Sequence, residues 1–249
     1  DRLADLLLTP DTLSSENLRK EGVPEKNIKF VGNIMIDTLE VNREKSQNLS
    51  IDNIITENII PNQSLSPSVS SSLSHSKSSP GYALMTLHRP SNVDDKRIFE
   101  PIIRFLLDEV TRDMPLIWPI HPRSQKQLQT FGLWEEALKH PDLILLHPLG
   151  YHEMLRLNTD AAIMLTDSGG LQEECTVLGT PCLTLRWNTE RPITLREYGG
   201  ASVLVGNNIE RIRAEYRYTL QQQRKAYRPE LWDGKTAERC LGAIIEYDK

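Results

Sequence analysis

The sequence contains few cysteines, and they form no pattern typical of a metal site or a disulfide framework. Cys175, Cys182 and Cys240 are scattered and lack the spacing of metal ligands. They are predicted to be reduced thiols in or near the core of a cytosolic protein. The sequence therefore predicts neither a metal centre nor a disulfide-stabilised secreted domain.

Features of proteins that bind nucleic acids or membranes are also missing. Acidic residues outnumber basic residues by 34 to 29, which gives a net charge of −5, and no basic stripe with interleaved aromatic residues is present. Nucleic acid is therefore not an expected partner. No apolar run is long enough to span a bilayer, and no signal peptide opens the chain. We expect a cytoplasmic protein without a membrane partner.

The chain also lacks an initial methionine. It begins at Asp1 with a helix tail and an apolar run, Leu6–Leu8, rather than with a plausible start. We therefore expect a fragment whose N-terminal part is missing. Its 249 residues suffice for one large domain or two small ones.

Composition divides the chain into three predicted parts. Residues 1–42 are interpreted as the remnant of an N-terminal Rossmann-like domain and its crossover. Residues 43–80 are rich in Ser and Asn, and Ser64–Ser79 is nearly of low complexity. This part is predicted to be a disordered loop or linker, because it cannot bury enough apolar surface to offset its ordering entropy. Residues 81–249 alternate strands and helices, which predicts an α/β fold with a Rossmann-like, doubly wound parallel sheet and a closing helix.

A glycine-containing turn between a strand and a helix is the central motif of the third part. The apolar run Ala161–Leu165 leads into the turn Thr166–Gly170 (sequence TDSGG), and the helix-compatible run Leu171–Leu178 follows. Glycines let backbone approach an anion closely, and the free N–H groups of a helix start favour negative charge. The alternative is an ordinary turn, since any doubly wound domain needs small residues there. The motif alone does not separate a phosphate site from such a turn.

Two further clusters follow predicted strands. His88 and Arg89 come directly after the strand Tyr82–Leu87, and His121 follows the strand Pro115–Ile120. A histidine can act as general acid or base near neutral pH, and an arginine can hold a phosphate. Each cluster alone is better explained as a surface turn. Because ligands of parallel sheets bind beyond the carboxyl ends of the strands, the recurrence of such clusters predicts a shared pocket.

Residues after the glycine turn could complete that pocket. Glu174 lies more than one helical turn beyond Ser168, and its carboxylate could accept both hydroxyls of a ribose. Glu173 points about 100° away, and we expect it to be a solvated acid favoured by the helix dipole. Arg191 lies in the segment Asn188–Pro192, which could close the pocket or could simply cap a helix. Together the clusters predict a nucleotide or nucleotide-sugar site.

On these motifs the chain resembles the UDP-N-acetylglucosamine 2-epimerase family. The matching segments occur in the family's order and cover nearly the whole chain outside the Ser-rich stretch. They are Val31–Asp37, Leu87–Arg89, Pro119–Pro122, Thr166–Glu174, Leu178–Pro181, Thr189–Pro192, Asp233–Lys235 and Glu238–Arg239. The resemblance implies the C-terminal half of a two-domain GT-B fold. It also implies conversion of UDP-GlcNAc to UDP-ManNAc by elimination and re-addition of UDP, with no cofactor and no metal.

The resemblance also implies roles for individual residues. His88 matches the family's functional histidine and is the expected catalytic residue. The expected UDP-binding residues are Arg89, His121, Ser168, Gly169, Gly170, Glu174 and Arg191. A UDP-sugar is the expected partner, and the full-length enzyme is expected to be a homodimer. Many bacterial members have Arg-Glu-Asn where this chain has Pro90–Asn92, so activation by a second substrate molecule is not implied.

Three alternatives to a non-hydrolysing epimerase remain open. They are a hydrolysing relative that releases free ManNAc, a GT-B glycosyltransferase, and a non-catalytic UDP-binding module. In the family the proton-handling carboxylates come from the N-terminal domain, of which only the last elements are expected in this chain. We therefore expect the isolated chain to bind UDP weakly and to be inactive.

Overall fold

The computed structural model describes residues 3–63 and 81–247, and it contains two parallel sheets. A small sheet pairs β1 (Leu7–Thr9) with β2 (Ile28–Phe30). The main sheet has the order β5-β4-β3-β6-β7-β8. Its strands are β3 (Ala83–Thr86), β4 (Leu116–Pro119), β5 (Leu143–Leu146), β6 (Ile163–Thr166), β7 (Cys182–Thr184) and β8 (Ser202–Leu204). Every pair is parallel, which confirms the predicted Rossmann-like α/β class.

Helices connect the strands and cover both faces of the main sheet. They are α1 (Thr12–Lys20), α2 (Ile34–Gln47), α3 (Ile51–Asn58), α4 (Pro90–Val93), α5 (Lys96–Phe105), α6 (Pro122–Thr130), α7 (Trp134–Lys139), α8 (Tyr151–Asp160), α9 (Gly169–Leu178), α10 (Ile209–Leu220) and α11 (Thr236–Tyr247). After α5 the helical path continues as a π-turn over Leu106–Val110 and an α-turn over Thr111–Asp113. Short 3₁₀ turns lie at Glu25–Asn27, Pro192–Thr194 and Arg196–Tyr198.

Side chains fix several of the helix starts. Asp11 accepts a hydrogen bond from the backbone N–H of Ser14 at the start of α1, and Asn208 accepts one from Arg211 at the start of α10. Such caps satisfy backbone donors that lack an intrahelical partner. Helix α1 therefore begins directly after the Asp11 cap and ends at Lys20.

The strands are apolar on both faces because helices cover the sheet from both sides. Phe99 and Trp118 lie in the core cluster on one face, and Leu84, Ile117 and Met164 lie in the cluster on the other. Both clusters consist of buried side chains, which supply most of the apolar burial available to this fold.

The predicted disordered linker over residues 43–80 is wrong for its described portion. Helix α2 continues to Gln47, and α3 buries Ile51, Ile54 and Ile55 in the same cluster as Leu84. These isoleucines recur at helical spacing, so α3 gains an apolar face whose burial offsets the cost of ordering. The low-complexity stretch Ser64–Ser79 lies outside the described residues.

The first segment of the chain packs against its last elements. The Trp232 indole N–H donates to the Pro10 carbonyl oxygen at 2.8 Å. The Asp37 carboxylate accepts hydrogen bonds from the backbone N–H groups of Thr236 at 3.0 Å and Ala237 at 2.7 Å. Domain boundaries at residues 42 and 80 stay a prediction.

Strand order locates a single switch point in the main sheet. From β3 the chain moves outward through β4 to β5, then returns beside β3 and continues from β6 to β8. Ligands of doubly wound sheets bind beyond the carboxyl ends of the strands at such a point. The residues directly after β3 and β6 are therefore where a site is expected. In residues 3–63 and 81–247, no helix has both the length and the apolar character needed to cross a bilayer.

Candidate functional site

A buried carboxylate joins the two turns at the switch point. Asp167 follows β6 directly and is fully buried. Its Oδ2 accepts hydrogen bonds from the backbone N–H groups of His88 at 3.0 Å and Arg89 at 2.7 Å, and from the Asn92 side-chain amide at 3.1 Å. Its Oδ1 lies 3.0 Å from Nδ1 of His88. Although burial opposes ionisation, these bonds hold the pKa of Asp167 below its ordinary value. A fixed negative charge therefore lies beneath the turn after β3.

The predicted catalytic histidine lies in that turn. The hydrogen bond to Asp167 raises the pKa of His88 above its ordinary value, although partial burial and the charges of Arg89 and Arg123 lower it. Because Nδ1 is engaged by Asp167, Nε2 is the ring nitrogen left for a ligand. The ring centroid of His121 lies 5.2 Å from that of His88. The structure therefore brings together the two histidines that follow β3 and β4.

His121 and Arg89 have different local roles. Nδ1 of His121 accepts the backbone N–H of Arg123 at 3.1 Å and caps α6. Nε of Arg89 donates to the backbone carbonyl of Asp167 at 2.8 Å. Its two terminal nitrogens make no hydrogen bond to any other described residue. Arg89 thus keeps most of its donors for an anion at the carboxyl edge of the sheet.

Helix α9 begins at the same edge with an open N-terminus. Ser168 is the N-cap residue, but within the described parts of the chain its side chain makes no capping bond. The backbone N–H of Ser168 donates to the hydroxyl of Thr166 at 3.0 Å, which shapes the turn. A Cβ built on Gly170 would meet no described atom within 4 Å. Free backbone donors at a helix start with open space before them suit a phosphate.

Arg191 lies across this helix start. A Cβ on Gly169 would come within 2.6 Å of its Nη1. Nη1 also pairs with Glu190 at 2.6 Å, and Nε lies 3.0 Å from Oε1 of Glu173. The hydroxyl of Thr189 accepts the Arg191 backbone N–H at 3.0 Å and so fixes this loop. The predicted UDP-binding arginine is therefore at the site, but two carboxylates share its charge.

The side chain of Glu174 is buried more deeply than that of an acid that binds a ligand at the protein surface. It is 5% exposed, between α9 and α8, with the Asn158 amide and the Tyr151 hydroxyl beside it. Burial raises its pKa to about 7, and these two neighbours lower it only in part. Burial therefore favours the protonated form of Glu174 over the carboxylate, compared with an exposed glutamate.

The expectation that Glu173 is a solvated acid is wrong. Its side chain is 5% exposed and accepts a hydrogen bond from the Asn33 amide at 2.8 Å. Burial raises its pKa, although Arg191 and Asn33 act in the opposite direction. Helical periodicity correctly separates the directions of Glu173 and Glu174, but it does not reveal that α2 covers the second face.

Three residues with a part in the site, Asp167, Asn92 and Asn33, are not among those predicted from the sequence. An acid directly after a fully apolar strand was the available signal for Asp167, since an ionised group there must be paired. Nothing in local sequence shows that Asn92 donates to Asp167 or that Asn33 reaches Glu173, because these partners are 75 and 140 positions apart.

Comparison with known proteins gives a consistent result. The sequence profile of UDP-N-acetylglucosamine 2-epimerase matches residues 1–245. The UDP-N-acetylglucosamine 2-epimerase of Methanocaldococcus jannaschii is 33% identical over 251 aligned positions, which cover 100% of this chain and 63% of that protein. The UDP-2,3-diacetamido-2,3-dideoxy-D-glucuronate 2-epimerase of Pseudomonas aeruginosa is 29% identical, over 91% of this chain and 57% of that protein.

Solved structures show the same relationship. The crystal structure of the M. jannaschii UDP-GlcNAc 2-epimerase in complex with UDP-GlcNAc and UDP superposes with a TM-score of 0.80 at 33% identity, over 99% of this chain and 62% of that one. This likeness confirms the predicted fold relationship. The chain spans between about half and two thirds of the length of the relatives it matches.

Proposed function

This chain belongs to the UDP-N-acetylglucosamine 2-epimerase family, and from that premise we propose that the protein interconverts UDP-GlcNAc and UDP-ManNAc. The observation that carries the proposal is the meeting, at one switch point, of the open N-terminus of α9 with the turn that bears His88 and Arg89. A departing nucleoside diphosphate needs backbone donors and cations of this kind.

In the proposed reaction the protein first eliminates UDP. The C1–O bond breaks with its electron pair leaving on UDP, while the C2 proton is removed and the C2–H electrons form the C1=C2 double bond of a glycal. Re-addition of UDP at C1 and protonation of C2 on the opposite face complete the inversion. We assign the diphosphate to Arg89, to Arg191 and to the backbone of Ser168, Gly169 and Gly170, with His88 as the catalytic donor.

We assign the remaining predicted residues to the edges of the same ligand. Glu174 would accept the ribose hydroxyls, and His121 would flank the diphosphate beside His88. The pairing of Arg191 with Glu173 and Glu190 implies that part of its charge becomes available only when a ligand competes for it.

Incubation of the full-length protein with UDP-GlcNAc in heavy water tests the reaction. The expected result is UDP-ManNAc together with recovered UDP-GlcNAc, both carrying solvent deuterium at C2 by NMR. Free ManNAc plus UDP would instead identify a hydrolysing enzyme. Unlabelled sugar transferred to an acceptor would identify a glycosyltransferase, and tight UDP binding without turnover would identify a binding module.

The relatives give a reason to test a second nucleotide sugar. The P. aeruginosa relative is named a 2-epimerase of a diacetamido glucuronate, so the family changes substituents at C3 and C6 around the same C2 chemistry. The experiment is therefore run in parallel with that UDP-sugar, and the ratio of kcat/KM values decides between the two substrates.

We further propose that turnover needs more than these 249 residues. The matched relatives are longer, and the proposed site contains no described carboxylate assigned to move the C2 proton. The 249-residue chain is expected to bind UDP without epimerising UDP-GlcNAc, and the active form is expected to be a homodimer. Turnover by this chain alone, measured by the same NMR assay, would contradict the first expectation, and a monomeric mass in active fractions would contradict the second.

A further inference from the structure

The hydrogen bonds around Asp167 are unequal on its two oxygens. Oδ2 accepts three donors, which are the backbone N–H groups of His88 and Arg89 and the side-chain amide of Asn92. Oδ1 faces Nδ1 of His88 at 3.0 Å, with the backbone N–H of His88 at a longer 3.3 Å. Oδ2 therefore mainly binds donors of the turn, and Oδ1 mainly binds the imidazole of His88.

This arrangement specifies the histidine tautomer. A fully buried carboxylate whose pKa is held low only accepts hydrogen bonds, so Nδ1 of His88 must carry a proton. In the neutral ring Nε2 is then an acceptor, and only the imidazolium can donate from Nε2. Attraction to Asp167 favours that charged form, while Arg89 and Arg123 oppose it. The His121 ring lies beside His88, and its own Nδ1 is occupied as an acceptor.

We infer that Asp167 is a positioning residue that fixes His88 with Nδ1 protonated, so that the charged ring donates from Nε2 to an oxygen of the diphosphate. This inference rests on the proposed function for the identity of the anion, but not for the tautomer. Asp167 also holds the backbone of Arg89 and, through its carbonyl oxygen, the guanidinium. The same residue therefore orients both cationic side chains of the turn.

Replacing Asp167 with asparagine gives a specific expectation. Because three donors converge on the Oδ2 position, the asparagine carbonyl must take that place, and its NH₂ group then faces Nδ1 of His88. A donor in that position requires an unprotonated Nδ1. D167N should therefore switch neutral His88 to the Nε2–H tautomer and lower its pKa, with little change in backbone geometry.

NMR of histidine labelled with ¹⁵N measures the tautomer without any activity assay. The His88 signals are assigned by their loss in H88Q. The expected result is Nδ1–H in the wild-type protein and Nε2–H in D167N, and an Nε2–H tautomer in the wild type would overturn the inference even if D167N fails to fold. D94N is the matched control, because Asp94 is an exposed partner of Arg123 near the same edge and should leave the His88 tautomer unchanged.

Kinetics then test the consequence for the reaction. Loss of an oriented general acid typically costs about 10²- to 10⁴-fold in rate, so kcat of D167N in the full-length protein should fall in that range with KM less affected. In its pH profile, the alkaline decline that deprotonation of the imidazolium produces should also move to lower pH than in the wild type. An unaltered pH profile in D167N would overturn the positioning role. A full-length protein with the predicted tautomer but no epimerase activity would instead contradict the proposed function alone.

Discussion

At the scale of single residues, burial favours a neutral carboxyl at Glu174, whereas the proposed ribose binding uses its carboxylate. Its carboxyl has a pKa of about 7 in the folded protein, against an ordinary value of 4.5, because it is buried beside Tyr151 and Asn158. A raised carboxyl pKa means that the folded state holds a proton that the unfolded state has lost. Below the unfolded pKa, the carboxyl is protonated in both states and the protein keeps its full free energy of unfolding. As the pH rises from the unfolded pKa toward the folded pKa, the free energy of unfolding falls.

The free energy of unfolding should therefore record this carboxyl. Glu174→Gln removes the titration, so the mutant should gain stability relative to the wild type by about 3 kcal/mol between about pH 4.5 and about pH 8. Denaturant titrations across that range measure the difference. Glu135→Gln, at an exposed position on α7, is the control. Parallel curves for wild type and Glu174→Gln would show that the carboxyl is not held neutral by burial.

A second consequence of Glu174 concerns the ribose. If its carboxylate accepts the ribose hydroxyls, Glu174→Gln should weaken UDP binding about tenfold, because a hydrogen bond to a charged acceptor is worth roughly 1.5–3 kcal/mol. Binding of 2′,3′-dideoxy-UDP should change little, since it lacks both hydroxyls. Calorimetry with the two ligands separates the cases. Equal losses for both would mean that Glu174 supports the site without touching the ribose.

At the scale of elements, a substitution at the start of α9 can distinguish an effect on ligand binding from an effect on helix stability. A methyl group added at Gly170 would meet no described atom within 4 Å, and Gly242 in α11 is equally open. Alanine at either position should raise the free energy of unfolding by about 0.5–1 kcal/mol, because glycine loses more backbone entropy in a helix. Only Gly170→Ala places a methyl group where the diphosphate is expected, so it alone should weaken UDP binding, by about tenfold. Unchanged UDP affinity in Gly170→Ala would place the diphosphate elsewhere.

The strands and helices were largely predictable from local sequence, except where their stability depends on residues that are distant in the chain. The apolar runs located β3, β4 and β6, the strands that precede the predicted site, to within about two residues, because this signal is local. Helix α3 was not predicted, since Ser and Asn dominate the average composition around Ile51, Ile54 and Ile55. What makes α3 stable is the sheet face formed by residues further along the chain, such as Leu84.

The same distinction applies to the site. The residues after each strand could be gathered at one edge from topology alone, and His88 and His121 do meet there. The charge balance could not be predicted, because it depends on contacts between distant segments. Asp167 pairs with a histidine 79 positions away, and Glu173 is covered by α2. Parallel strands make such distant contacts common at the carboxyl edge of the sheet.

At the scale of the whole molecule, Asn33 links the first segment to the site. Its side-chain oxygen accepts the Met35 N–H and caps α2, while its amide donates to the buried Glu173, which pairs with Arg191. The geometry of the cation at the start of α9 therefore depends in part on a residue from the segment preceding the main sheet. This arrangement provides a path by which movement of the first segment would alter anion binding.

Asn33→Ser tests that dependence, because serine keeps a capping oxygen but removes the amide donor to Glu173. The buried carboxylate then loses one of its two partners, so the free energy of unfolding should fall by about 1–3 kcal/mol. Glu173 should also hold Arg191 more closely, and UDP affinity should fall several-fold. Asn208→Ser, at the cap of α10, is the matched control and should change neither quantity appreciably. If the two variants behave alike in denaturation and calorimetry, the first segment contributes no more than a helix cap, and the coupling between it and the anion site is absent.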